Sequence, residues 1–217
     1  MRSAMWLSAL LLGCVGAAGA REVEMVTLPA PQMSGGLPLM EALAQRHSTR
    51  EFADRPLAPQ ELSNLLWAAS GVNRPESGKR TAPSARDWRE VDVYVATADG
   101  TFRYEPDTHT LRRILDRDIR ARTGTQDFVA TAPVNLIYVA DLDRMQGTTA
   151  EHKVLYSATD TGFMAQNVYL YCASAGLATV VRGSIDREAL GTTLGLGPSK
   201  RIILAQSVGH PRAGNAP

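Results

Sequence analysis

A compact group of polar side chains follows the first amphipathic segment of the chain. Residues 46–52 read Arg-His-Ser-Thr-Arg-Glu-Phe, which places two guanidiniums, an imidazole and a hydroxyl within one short stretch. Planar guanidiniums and a serine hydroxyl bind phosphate oxygens through charge-assisted hydrogen bonds. The segment therefore predicts a surface that binds an anion, such as a phosphate monoester.

The same arginines also have a purely structural interpretation. Leu39, Met40, Leu43 and Ala44 recur at helical spacing just before them, and Pro56 prevents a helix from continuing after them. Cations near the C-terminus of a helix are favourable without any ligand, by about 0.3–1 kcal/mol each. Both interpretations place the cluster where a helix meets a loop.

A second motif and the order of the later segments point to a family. Residues 77–85 read Ser-Gly-Lys-Arg-Thr-Ala-Pro-Ser-Ala and precede a strand-like stretch at 91–97. The later segments are Ala132-Pro133, Ala175-Gly176-Leu177, Val180-Val181-Arg182-Gly183 and Val208-Gly209-His210-Pro211. In this order, residues 38–212 resemble the nitroreductase family of flavin enzymes. The run at 77–85 is most similar to the branch that includes SagB-type and thiazoline-oxidase-like dehydrogenases.

This resemblance implies that FMN binds at the interface of a homodimer. The positions that match cofactor-binding residues of the family are Arg46, His47, Ser48, Arg50, Pro83, Ser84, Ala85, Asp87, Val181, Arg182, Gly183 and Arg212. Arg46, His47 and Ser48 match positions that hold the phosphate and the ribityl chain. Arg50 matches the basic residue that reaches the flavin N1 and the C2 carbonyl, where a fixed cation stabilises the charge of the reduced ring.

Two further segments are implied to contact the ring. Residues 83–85 match a loop that lies against the flavin, usually from the other subunit, and the backbone of 181–183 matches a segment facing the N5 and O4 edge. Arg80 is a weaker candidate for a phosphate contact. Because the flavin performs the redox step in this family, we predict binding residues and no catalytic acid or base.

The sequence departs from the family pattern at three places. Asp87 stands where many members have asparagine, and Arg89 stands at the usual glutamine position. An anion near the ring opposes a negative reduced flavin, so we expect Asp87→Asn to raise the reduction potential. The sequence ends at Pro217, before the basic tail that often completes phosphate binding, which makes Arg212 the late candidate for that contact.

The predicted activity is hydride transfer through the flavin N5 to or from a nitroaromatic, a quinone or a small heterocycle. One alternative is a non-catalytic flavin- or anion-binding protein of the same fold, which Asp87 and Arg89 motivate. Another is a hydrolase that uses Ser84, His210 and an aspartate, although the sequence contains no Gly-x-Ser-x-Gly elbow.

The first twenty residues predict export. Arg2 precedes an apolar stretch at 5–15, and Ala18-Gly19-Ala20 provides a small-residue cleavage site, as in a secretory signal peptide. In a competing interpretation residues 11–14 form a lipobox and Cys14 is lipidated. Either way we expect a periplasmic or secreted protein with no transmembrane segment in its mature chain. FMN and the electron donor or acceptor must then be met outside the cytoplasm.

Composition argues against two classes of partner. The 23 Lys and Arg residues nearly balance the 22 Asp and Glu residues, for a formal net charge of +1, and loss of Arg2 with the signal leaves a neutral chain. Binding of nucleic acid is therefore not expected. The four histidines are widely spaced, so no metal site is predicted. Cys172, the cysteine that remains after signal cleavage, is expected to be a buried and inert thiol.

The elements that position these residues predict an α+β domain. Residues 21–37 are interpreted as a flexible lead-in and 38–217 as the folded domain. Helices are predicted from Pro59 to about 70 and over 111–122, 150–175 and 186–196, and strands over 91–97, 101–104, 134–140, 179–181 and 201–208. Strand 91–97 is expected to bury only one face. Strands and helices mix without a strict alternating unit, which predicts a sheet flanked by helices, and the resemblance implies a mainly antiparallel one.

The helix at 150–175 predicts the assembly. It could extend about 39 Å and carries small or apolar residues on more than one side, including Val154, Ala158, Gly162 and Ala165. A helix without a clear polar face must be covered on several sides. We therefore expect a homodimer built on this helix, and the resemblance implies the same. The alternative is a central core helix of a monomer.

Overall fold

The computed structural model describes residues 24–213. The predicted signal peptide at 1–20 and the alternative lipidation site at Cys14 lie outside the described residues. The helices of the described part are α1 (Leu39–Gln45), α2 (Pro59–Ser70), α3 (Ala150–Ala175) and α4 (Arg187–Leu194). The strands are β1 (Met25–Thr27), β2 (Val72–Arg74), β3 (Lys79–Arg80), β4 (Val91–Thr97), β5 (Gly100–Glu105), β6 (Thr110–Leu115), β7 (Val134–Asp141), β8 (Ala178–Arg182) and β9 (Lys200–Gly209).

Seven of these strands form one sheet in the order β1-β6-β5-β4-β7-β9-β8. Every neighbouring pair in it is antiparallel, and β2 and β3 form a separate small hairpin. The predicted α+β fold with a mainly antiparallel sheet flanked by helices is thus confirmed.

Helices cover both faces of the sheet. On one face Val93, Leu136 and Tyr138 pack in the same core as Met164 and Val168 of α3. Helices α1 and α2 pack against α3 on this side. On the other face Tyr94, Ile137 and Val139 pack with the apolar residues of α4. The central strands are therefore buried on both sides.

This second layer corrects one prediction for β4. Tyr94 and Ala96, which alternate with Val91, Val93 and Val95, are only 4% and 0% exposed. The strand does not have a single buried face, because the layer that contains α4 covers the other one.

Two predictions near the sheet edge are wrong. The segment 111–122 was expected to be a helix, but its first part is β6. The arginines that suggested a solvated helical face pair across strands instead: Arg112 lies 3.0 Å from Glu105, and Arg113 lies 2.7 Å from Glu24. The lead-in at 21–37 is also not uniformly flexible, since β1 within it pairs with β6.

The remaining elements agree with the sequence to within a few residues. Helix α2 begins at Pro59 and Gly71 follows its end. Helix α4 ends at Leu194 and is capped by Gly195, whose left-handed backbone (φ 65°) suits glycine. Cys172 is buried, as expected, and burial raises the pKa of its thiol. Among residues 24–213, no helix combines the length and the hydropathy that a membrane span requires.

Candidate functional site

The polar segment at 46–52 lies along the outer edge of β8. The backbone N–H of Thr49 donates to the carbonyl of Thr179 at 2.9 Å, and Phe52 forms an isolated bridge with Pro211. An uncovered edge strand leaves its N–H and C=O groups unpaired, which favours any segment that pairs with them. The segment that carries the predicted anion-binding residues is thus held by backbone contacts to β8 and to the residues that follow β9.

Tyr169 of α3 connects three of the predicted site residues. Its hydroxyl lies 2.8 Å from Oγ of Ser48 and accepts the backbone N–H of Val181 at 2.9 Å. The guanidinium of Arg46 lies over its ring, 5.2 Å from the centroid. A buried tyrosine usually finds a partner for its hydroxyl. Here those partners bring Arg46, Ser48 and Val181 together at one point.

Three other predicted residues lie in or beside the same polar segment. His47 is exposed, and its Nδ1 lies 2.7 Å from the carbonyl of Gln45. Arg50 and Arg212 are also exposed, and the N–H of Arg212 donates to the carbonyl of Glu51 at 3.4 Å. We call this group, Arg46 to Arg50 with Tyr169, Val181 and Arg212, the Tyr169 patch.

The loop at 83–85 is anchored to two buried carboxyl groups. Oγ of Ser84 accepts the N–H of Arg89 at 2.8 Å and donates to Glu90 at 3.2 Å. The N–H of Ala85 donates to Oδ2 of Asp160 at 2.8 Å. Glu90 is fully buried and Asp160 is 2% exposed. Burial, together with the nearby Asp160, raises the pKa of Glu90, so Glu90 keeps its proton to a higher pH than an exposed glutamate does.

The residues after Ser84 have a strained backbone. Arg86, Asp87 and Arg89 all adopt positive φ angles, of 51°, 56° and 49°. Such conformations cost non-glycine residues about 1 kcal/mol or more each and cluster at functional sites. The carboxylate of Asp87 accepts two hydrogen bonds from Arg89, at 2.7 and 2.8 Å. Because Arg89 hydrogen-bonds it, the pKa of Asp87 is lowered.

The side chain of Arg182 is part of the core. It is 4% exposed and donates to the carbonyl of Thr123, to Asn135 and to Ser207 at 2.8, 3.0 and 3.1 Å. Burial among these neutral groups lowers its pKa to about 10. A contact between position 182 and a cofactor would therefore have to come from its backbone. The neighbouring Gly183 is exposed.

The site residues thus form two groups within one chain. The first is the Tyr169 patch, and the second is the loop of Pro83, Ser84, Ala85 and Asp87. Their anchors on α3, Tyr169 and Asp160, are about 14 Å apart along the helix axis, and no hydrogen bond of the described residues joins the two groups. Neither Tyr169 nor Asp160 is among the residues that the sequence predicts for the site.

Two cavities help to locate the second group. One, of about 300 Å³, lies beside the loop and is lined by Arg74, Lys79, Arg80, Ala82, Pro83, Ser84, Asp87, Arg89 and Met164. A larger one, of about 660 Å³, lies between α3, α4 and β9. None of the predicted cofactor-binding residues lines the larger cavity. We therefore do not assign the cofactor site to it, although its volume is greater.

The hydrolase arrangement is not formed. Ser84 is engaged by Glu90 and Arg89. His210 instead lies 2.6 Å from Arg55 and 3.4 Å from Glu61. Serine and histidine therefore have separate partners. Within residues 24–213, no three His, Cys, Asp or Glu side chains are grouped so as to hold a metal ion.

Comparison with known proteins places the chain among nitroreductases. The nitroreductase family model matches residues 43–210. A protein of Methanocaldococcus jannaschii named as a nitroreductase is 36% identical over 161 residues, which cover 69% of this chain and 81% of that protein. A crystal structure of a nitroreductase-type protein from Ralstonia eutropha JMP134 superposes with a TM-score of 0.84 at 46% identity, and covers 87% of this chain and 90% of that one.

A more distant solved structure shares the fold. The NADPH:FMN oxidoreductase of Vibrio harveyi, solved with NAD⁺, matches with a TM-score of 0.61 at 20% identity. The match covers 82% of this chain and 71% of that one.

Proposed function

The chain belongs to the nitroreductase family, and from that premise we propose that it is an FMN-dependent oxidoreductase of the SagB-type dehydrogenase branch. The observation that carries this proposal is the convergence of Arg46, Ser48 and Val181 on Tyr169. Tyr169 contacts Arg46 and Ser48, which match the positions that bind the FMN phosphate. It also contacts Val181, whose backbone matches the segment that faces the flavin N5 edge. The name of the Vibrio harveyi enzyme, an NADPH:FMN oxidoreductase of the same fold, is consistent with this cofactor.

The chemistry of the patch fits the phosphate end of FMN. A phosphate monoester carries about −1.5 to −2 charges at neutral pH. Arg46 and Arg50 form no salt bridge among the described residues, so both guanidiniums are available to it. The exposed hydroxyl of Ser48 adds a donor beside them. His47 directly follows Arg46, and the backbone N–H of Arg212 donates to the carbonyl of Glu51 at 3.4 Å, so both can extend the same anion-binding surface.

When bound, FMN supplies a centre that accepts or donates a hydride at N5. The residues of the chain would bind and orient it: Arg46 and Ser48 would hold the phosphate, and Arg50 would place a cation near N1 and the C2 carbonyl. Backbone groups of 181–183 would face the N5 edge. The substrates that fit this activity are a nitroaromatic, a quinone or a small heterocycle.

A homodimer would complete the site. Val154, Leu155 and Phe163 on α3 are 59%, 56% and 44% exposed, and Leu39 and Met40 on the adjacent α1 are 62% and 74% exposed. Apolar side chains that cluster on a surface mark an interface, and a second copy is the proposed cover. If two α3 helices pair antiparallel about a point near Met164, Asp160 of each copy comes beside Tyr169 of the other. The loop at 83–85 of one copy then meets the Tyr169 patch of its partner.

The proposed location is the periplasm or the cell exterior, and it rests on the signal-like residues 1–20. Nicotinamide donors are scarce there, so the electrons come from another exported carrier, or the enzyme works as an oxidase. A second function, non-catalytic flavin or anion binding, is favoured by one observation: Arg89 and Asp87 are locked together where the family usually has neutral amides.

Anaerobic reduction of the FMN-loaded protein separates the two functions. We expect the flavin absorbance near 450 nm, a general property of oxidised flavins, to bleach with a two-electron donor and to return with a quinone or nitroaromatic acceptor. Protein that binds FMN but whose flavin is not bleached by any donor other than dithionite would support the binding function instead.

A further inference from the structure

A cavity lined by cations lies beside the loop at 83–85. We propose that it binds the anionic group of the substrate, a carboxylate or a phosphate ester joined to a small apolar body. This inference rests on the proposed function, because it names the substrate class of the same site. It concerns a ligand other than FMN, whose phosphate is assigned to the Tyr169 patch.

The charge of the cavity is strongly unbalanced. Arg74, Lys79, Arg80 and Arg89 line it, and Asp87 is the acidic residue of the lining. Asp87 is already paired with Arg89 at 2.7 Å. The other three cations form no salt bridge among the described residues, although Asp107 and Asp92 attract Arg80 at longer range. An anion in the cavity therefore lies near Arg74, Lys79 and Arg80, none of which forms a salt bridge with a described residue.

The environment of Arg80 is unfavourable for its positive charge, so the stability of the fold does not explain this cluster of cations. Its Nε is buried without a hydrogen-bond partner. Burial and the repulsion of Arg89 and Arg144 lower its pKa. A buried cation without a partner is costly. An anionic oxygen in the cavity offsets the repulsion between Arg80 and the neighbouring arginines.

The hairpin of β2 and β3 holds the cations in place. Arg74 donates from Nη2 to the backbone carbonyl of Arg80 at 2.9 Å. The backbone of Arg80 pairs with that of Val72 across the hairpin. Arg74, Lys79 and Arg80 thus lie on paired strands, and the pairing of the hairpin holds their backbone in place.

Apart from Ser84, the rest of the lining is apolar, and the size of the cavity limits the ligand to a small molecule. Ala82, Pro83 and Met164 form this part of the wall. The volume of about 300 Å³ is at the lower end of ligand pockets, which suits a single ring with its substituents. Since Pro83 and Ser84 are also matched to the flavin-facing loop, such a ligand would lie against the ring.

The test compares two probes that differ in charge and hardly in size, 4-nitrobenzoate and 4-nitrobenzamide. Binding to the FMN-loaded protein is measured by calorimetry at low ionic strength. We expect the carboxylate to bind about tenfold more tightly than the amide, as charge-assisted hydrogen bonds predict. In Lys79→Gln and Arg80→Gln this preference should fall several-fold while affinity for the amide stays unchanged.

Arg117→Gln is the matched control, because Arg117 is exposed and does not line the cavity. If Arg80→Gln does not fold, the exposed Lys79 and Arg74 still allow the test through Lys79→Gln and Arg74→Gln. Equal affinity of the wild-type protein for the two probes would overturn the inference. So would a preference that survives in the Lys79→Gln, Arg74→Gln double variant.

Flavin content separates this inference from the proposed function. If Lys79→Gln and Arg74→Gln lose FMN, the cavity holds the flavin phosphate and the inference is wrong. If the wild-type protein takes up no FMN at all, the proposed function fails, and the same calorimetry on flavin-free protein decides the anion site by itself.

Discussion

The hydroxyl of Tyr169 lies 2.8 Å from that of Ser48 and also accepts the N–H of Val181. One side chain of α3 thereby ties the polar segment at 46–52 to the edge strand β8. These contacts set the relative positions of the two segments that we assign to the phosphate and to the ring of FMN.

Replacing Tyr169 by phenylalanine should loosen this junction. The variant leaves Ser48 and the N–H of Val181 without their partner, which should lower the free energy of unfolding by about 1 kcal/mol and weaken FMN retention several-fold. Chemical denaturation and flavin absorbance after gel filtration measure the two effects. The control is Tyr171→Phe on the same helix, whose hydroxyl donates to the backbone carbonyl of Glu61 at 3.3 Å and contacts none of the predicted site residues; it should leave flavin retention unchanged. Equal flavin loss in both variants would show that Tyr169 has no special part in binding.

The buried Glu90 should make stability depend on pH. Burial and Asp160 raise its folded pKa above the ordinary 4.5. Above pH 4.5 the unfolded chain loses this proton while the native protein keeps it, so the unfolded state binds fewer protons. The contribution to stability is therefore complete below pH 4.5 and is lost as the pH rises through the folded pKa. Glu90→Gln should flatten this decline in denaturation measured from pH 4 to 9.

A matched control for that profile is Glu76→Gln, since Glu76 is exposed. It should follow the wild-type curve. If Glu90→Gln also runs parallel to the wild type across the whole range, Glu90 does not hold a proton in the native protein.

Asp87→Asn should raise the reduction potential of bound FMN. In the wild type Arg89 is hydrogen-bonded to the carboxylate of Asp87. The amide removes one negative charge and leaves Arg89 uncompensated, so an anionic reduced flavin is favoured. Spectroelectrochemical titration should show a positive shift relative to Asp116→Asn, a control at an aspartate whose side chain is 73% exposed. An unchanged or more negative potential would show that the carboxylate of Asp87 does not lie near the flavin ring.

Charged substitutions on α3 should separate the subunits. Leu155→Glu or Phe163→Glu places a charge in the proposed interface, so we expect a monomer in analytical ultracentrifugation that retains at least tenfold less FMN, because the partner's loop is lost. Met33→Glu introduces the same charge at a residue that is 69% exposed outside α1 and α3, and should remain dimeric. A wild-type protein that is already monomeric at micromolar concentration, or α3 variants that stay dimeric, would contradict this interface.

Much of the fold was predictable because its elements carry local signals. Strand β7 is a nearly continuous apolar run, and Pro59 and Gly71 bound α2. Strand β6 carries no such signal: Arg112 and Arg113 look like the solvated face of a helix until Glu105 and Glu24 pair with them across strands.

The site was only partly predictable. Family motifs identify which positions belong to it, but they do not identify the residues elsewhere in the chain that hold those positions in place. In the sequence, nothing distinguishes Tyr169 from the other bulky residues of the long helix α3. Glu90 and Asp160 are far apart in the chain, and only the packing of α3 on the sheet brings both to the loop at 83–85. The cations at 74, 79 and 80 become a cavity lining only once β2 and β3 pair.

Uptake of FMN by a variant without the two arginines of the Tyr169 patch tests the central claim most directly. Flavin binding to the wild type and to the Arg46→Gln, Arg50→Gln double variant would be measured by quenching of FMN fluorescence, with Arg117→Gln as the control. We predict that the wild type and the control bind FMN and that the double variant binds it at least about 100-fold more weakly, since each charge-assisted contact is worth about 1.5–3 kcal/mol. An affinity in the double variant equal to that of the wild type would contradict the claim that these guanidiniums hold the cofactor.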